Sequence, residues 1–100
     1  MASAIRQIAH WKEGDLTSAA VMLAVEQANP RDEEDIRLMD VLAQKLRCAL
    51  LSAIPDGNNA TIAQIRQGSL RPHPVALLWF RRYEVVAAWL REHAPAFKIH

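Results

Sequence analysis

One hundred residues with a net charge of +1, about half of them apolar and only three glycines, describe one domain over residues 1–100 with a sizeable core and exclude a disordered or low-complexity chain. The single Cys48 rules out an internal disulfide, and no CxxC or Cys/His cluster offers a metal site. The longest apolar run, Ala19 to Val25, is too short to span a bilayer, and Met1 to Asp15 lacks a signal-peptide core, so a soluble cytoplasmic protein is expected.

Residues 3 to 13 read as a short helix, with Ile5, Ile8 and Trp11 at spacings of three, Trp11 as the anchor and Gly14 as the stop. Asp15 or Thr17 then caps a helix running to about Ala28. Its apolar residues go all the way round, which predicts a sandwiched element. The stretch from about 30 to 54 predicts one long central helix. Asn29 is placed to cap it, Pro30 suits the first position, and Asp32, Glu33, Glu34 and Asp35 sit at the positive end of its dipole. Pro55, Asp56 and Gly57 end it.

On a helical wheel the central element carries an apolar arc about 160° wide. Within it Ile36, Met39, Ala43, Leu46, Leu50 and Ala53 alternate spacings of four and three, the seam pattern of helices side by side. A helix of this length is about 37 Å long, as long as a compact sphere of this size is wide, about 33 Å. The expectation is a homodimer with Ile36, Met39, Ala43, Leu46 and Leu50 at the interface.

After the turn at Pro55 to Asn59, Asn59 is positioned to cap a short helix from Ala60 to Gln67, with Ile62 and Ile65 inward and Gly68 closing it. From about 74 to 93 a C-terminal helix is predicted, with Pro74 at its start and Pro95 ending it. Val75, Leu78, Trp79, Tyr83, Val85, Val86, Trp89 and Leu90 share an arc that also contains Arg82. Leu77 and Phe80 fall on the other side, beside Arg81. The fold class is therefore all-α, a small helical domain with shorter helices flanking two long ones.

The four histidines are scattered without ligand spacing, and no nucleophile elbow, phosphate-cradling loop or inward carboxylate pair is present. Cys48, at the fringe of the central arc beside Val41, reads as a packed, inert thiol. Neither an enzyme nor a cofactor is expected. Arg82 inside an apolar arc must either reach water along its stem or meet an acid. Leu77, Phe80 and Leu51 would be exposed apolar groups near arginines, and Phe97 lies in an apolar tail. Leu77, Phe80, Arg81, Arg82, Phe97 and Leu51 are thus the expected partner-binding residues. The function they point to is non-enzymatic capture of another protein by a small bacterial-type regulator, for example an anti-activator that sequesters a transcription factor. A secretion chaperone and an immunity-type inhibitor fit the same composition.

The order Thr61-Ile62, Ile65-Arg66-Gln67-Gly68, Pro72-His73-Pro74-Val75, Arg81-Arg82-Tyr83-Glu84-Val85 and Trp89-Leu90 resembles the AlpA and excisionase type of winged helix-turn-helix regulator. The resemblance spans about a third of the chain. It implies a recognition helix presenting Thr61, Gln64, Arg66 and Gln67 to the major groove, with Arg71, Arg81 and Arg82 on phosphates. It also requires a wing strand within residues 75–80. The turn before Thr61 and the short apolar segment after Pro74 depart from the motif, and basic charge is thin: six Lys/Arg against three Asp/Glu in residues 51–100. DNA binding is accordingly the alternative.

Overall fold

The computed structural model describes residues 3–94, and all regular structure in them is helical. Helix α1 spans Ile5–Ile8, followed by a 3-10 turn at Glu13–Asp15. Then come α2, Ser18–Gln27, α3, Glu33–Ser52, α4, Asn59–Gln67, and α5, Pro74–His93. The two long helices α3 and α5 share the largest contact; α2 packs on α5 and α1, and α1 packs on α3.

Helices α2 to α5 each begin where a side-chain oxygen or nitrogen takes an orphan backbone amide, whereas the N-cap of α1, Ala4, supplies none. The Thr17 hydroxyl accepts from the Ala20 amide at the start of α2. Helix α3 starts three residues later than Asn29 and Pro30 suggest, with Asp32 as its cap, accepting from the Glu34 amide. The reason is local: Asn29 accepts from the Arg31 amide instead, closing a turn around Pro30. At its other end α3 stops at Ser52, short of Ile54. Asn58, and not Asn59, caps α4, in a reciprocal pair with Thr61. Gly68 closes that helix at φ +81°, a left-handed conformation. His73 Nδ1 accepts from the Val75 amide in front of Pro74, and α5 runs over the predicted range.

The N-terminal expectations are corrected in two places. Only Ile5–Ile8 is α-helical, and Trp11, the supposed anchor, is exposed; Ile5, Ile8, Ala9 and Leu16 fill the core there. Lys45 of α3 secures this end, donating from Nζ to the carbonyls of Ala9 at 2.7 Å and Trp11 at 2.9 Å. Helix α2 is not sandwiched: Val21 and Ala24 are buried, whereas Met22 and Leu23 face out.

The central seam also changes meaning. Met39, Ala43, Leu46 and Leu50 have no exposed surface within the single chain, and Ile36 is half-buried against the same core. Met39, Ala43, Leu46 and Leu50 are thus covered by their own chain, and only Ile36 of the five keeps surface outside it. The body is not a sphere but measures 40 × 28 × 17 Å, and the equally long α5 lies against α3. A helix of 20 residues, about 30 Å long, fits along that axis. Among the described residues no helix is long and apolar enough to cross a membrane.

Candidate functional site: the cleft between helices α2 and α5

The inward face of α5 is built from Ala76, Tyr83, Val86, Ala87, Trp89 and Leu90, with Trp79 and Phe80 packed partly against the core. It is turned by roughly a sixth of a circle from the arc that the large side chains suggest. Ala76, Phe80, Tyr83, Ala87 and Leu90 follow spacings of four and three, so the alanines let α5 approach α3 closely. That rotation decides which apolar groups remain outside. Phe80 and Leu77 are half-buried, and Leu51 is half-buried against the core, so none of the three is the exposed group expected. Phe97 lies outside the described residues.

Val75 and Leu78 take their place, at 52% and 40% exposure, together with Met22 of α2 at 43%. Val75, Leu78, Arg82 and Val85 recur at spacings of three and four, so they form one stripe along α5. Beside the stripe a cleft of about 190 Å³ opens between the two helices, lined by Ser18, Val21 and Met22 from α2 and by Arg81, Arg82 and Val85 from α5. The sequence-predicted Arg81 and Arg82 therefore belong to this site. Met22 of α2 lines the cleft with them, while Val75 and Leu78 lie further along α5, exposed by the phase of that helix.

Arg82 neither extends freely to water nor finds an acid. Its guanidinium carbon sits 4.7 Å from the centre of the Trp79 ring, and its Nε donates to the Ser18 hydroxyl at 3.0 Å. Partial burial pushes its pKa below the usual guanidinium value. Among the described residues Arg81 and Arg82, like Arg31, Arg47 and Arg71, have no carboxylate within ion-pair distance; what sets the pair apart is that both line one cleft that contains no acid.

The arrangement implied by the winged helix-turn-helix resemblance is not present. Residues 75–80 lie inside α5, and no strand occurs among the described residues. Arg66, assigned there to the major groove, is paired with Glu84, which also accepts from Arg91. Cys48 is exposed on α3 and not packed. No group of three or more His, Cys, Asp or Glu residues among those described is placed to hold a metal ion.

No family model, curated protein or solved structure matches the chain.

Proposed function

We propose that this chain is a non-catalytic protein-binding module, a small regulator that captures and sequesters another protein such as a transcription factor. Its contact surface is the α2–α5 cleft together with the adjoining stripe of α5. The observation that carries the reading is the cleft itself, which sets Met22 and Val85 beside Arg81 and Arg82 with no carboxylate in its lining, while Val75 and Leu78 extend exposed apolar surface further along α5. Exposed apolar surface beside a cleft marks interaction sites on soluble domains, and apolar centres bordered by arginine are the composition of protein-binding hot spots. Leu77, Phe80 and Leu51 contribute less, since all three are half-buried and Phe80 and Leu51 are packed against the core.

Position-specific cross-linking in the native cell tests this. A photoreactive residue replacing Leu78 captures a discrete partner, while the same residue replacing Val41, an exposed apolar position on α3, does not. Adding Met22→Asp abolishes the capture and leaves the thermal midpoint unchanged. Equal capture from both positions, or none from Leu78, would remove the assignment.

A further inference from the structure

The cleft specifies what kind of segment fits it, an inference that rests on the reading above. We infer that the α2–α5 cleft receives an acidic amphipathic helix, one carboxylate of which pairs with Arg82 while an apolar side chain enters between Met22 and Val85.

The secondary structure of the occupant follows from backbone hydrogen bonding. The cleft is walled by two helices whose backbone groups are satisfied internally, and no sheet edge exists among the described residues to which an extended peptide could add. A helical segment brings its own hydrogen bonds. The stripe Val75, Leu78, Arg82 and Val85 runs about 15 Å along α5, longer than the roughly 10 Å that anchors spaced i, i+4 and i+7 on a docked helix need.

Its charge follows from Arg81 and Arg82. Trp79 and Ser18 hold the Arg82 guanidinium on one side, leaving its terminal amino groups without a side-chain or backbone acceptor among the described residues. A carboxylate arriving there forms charge-assisted hydrogen bonds to a cation that is already partly desolvated and oriented. Asp15, three residues before Ser18, stays outside ion-pair distance, so no internal acid competes. A second copy of the chain is a poorer occupant: the residues lining the cleft include two arginines and no carboxylate, so the surface is not self-complementary in charge. A nucleic acid backbone would leave Met22, Val75 and Leu78 uncovered.

The test uses the full chain, isotope-labelled, and three synthetic helix-stapled peptides with leucines at i, i+4 and i+7. One carries glutamates beside the leucines, one glutamines and one lysines. The glutamate peptide is expected to shift the Ser18, Met22 and Val85 amides and the Arg82 Nε–H, and to bind roughly tenfold tighter than the glutamine peptide, with the lysine peptide weakest. Arg82→Gln removes that preference; Met22→Ser weakens all three. Added salt narrows the gap between the peptides. Equal affinity for the glutamate and glutamine peptides at the cleft overturns the acidic partner and leaves the docking surface standing. Failure of every peptide to perturb the cleft overturns both. Concentration-dependent shifts of the same residues without peptide would assign the cleft to a second copy.

Discussion

Asp35 is the buried charge on which the N-terminal end of the molecule depends. Its carboxylate accepts from the Asn29 amide, the Ser3 hydroxyl and Arg6 Nε at 2.9–3.0 Å, and Arg6 also reaches Asp32. Burial alone would raise its pKa, but the Asn29 amide, the Arg6 guanidinium and the Ser3 hydroxyl outweigh that and hold it below its ordinary value of 3.8. The linkage has a definite sign. A carboxyl depressed in the folded state stabilises above its unfolded pKa, and that contribution drains away as pH falls through the folded value. Acidification below 3.8 should therefore destabilise the fold through Asp35. Glu34 is also held low, by Arg37, but it is exposed, so screening leaves it a small part in the same trend. Asp35→Asn should cost about 3 kcal/mol at neutral pH, because it leaves Arg6 and two other donors facing an amide. Its melting midpoint should fall by roughly 10 °C or more and flatten against pH on the acid side. A variant whose acid limb matches the wild type would show that Asp35 does not carry this dependence. The cluster was only half legible beforehand: acidic residues in a first helical turn already have a reason to be there, and that reason hides the long-range tie to Ser3 and Arg6.

At the scale of the element, α4 shows how much helix punctuation fixes by itself. Nine residues make a marginal helix, and this one is held by the Asn58–Thr61 cap, by Gly68 and by two buried isoleucines, Ile62 and Ile65. Asn58→Ala should cost about 1 kcal/mol. Gly68→Ala meets no atom within 4 Å of the added methyl, so only the left-handed backbone opposes it, again by about 1 kcal/mol. The two sites share no partner, so the double variant should lose about 2 kcal/mol in denaturant titrations. A strongly non-additive loss would mean that the ends of α4 communicate through its packing. Such signals act over one to four residues, which is why helix existence, order and most boundaries could be read from the chain. The phase of α5 could not. Ala76 and Ala87 contribute little to any hydrophobic sum, yet they set the face that meets α3, and large residues such as Val75 and Leu78 outweigh them on a wheel while lying outside. The full exposure expected of Leu77 and Phe80 fails for the same reason: both are half-buried, because the alanines displace the centre of the wheel.

For the whole molecule the decisive matter is which surface covers the α3 seam. A three-and-four pattern states that helices lie side by side, but it does not state whether they belong to one chain or two. Here the answer lies in shape. A body 40 Å long and 17 Å thick accommodates two 20-residue helices along its length, and α5 covers α3 without help. Concentration separates the two arrangements. Leu46 is fully buried in the single chain, so Leu46→Ala removes a transfer contribution and leaves a cavity, at a cost of about 3 kcal/mol. If that contact is internal, the cost is a property of the folded chain and stays the same when the protein is diluted about a hundredfold. If Leu46 instead sealed a dimer, part of its cost would appear as weakened association, and dilution would lower the variant's midpoint more than the wild type's. Denaturant titrations of both proteins at the two concentrations should give parallel curves separated by a constant amount. A gap that widens on dilution would return the seam to an intermolecular contact, and the α2–α5 cleft would then have to be weighed again as a surface of an assembly.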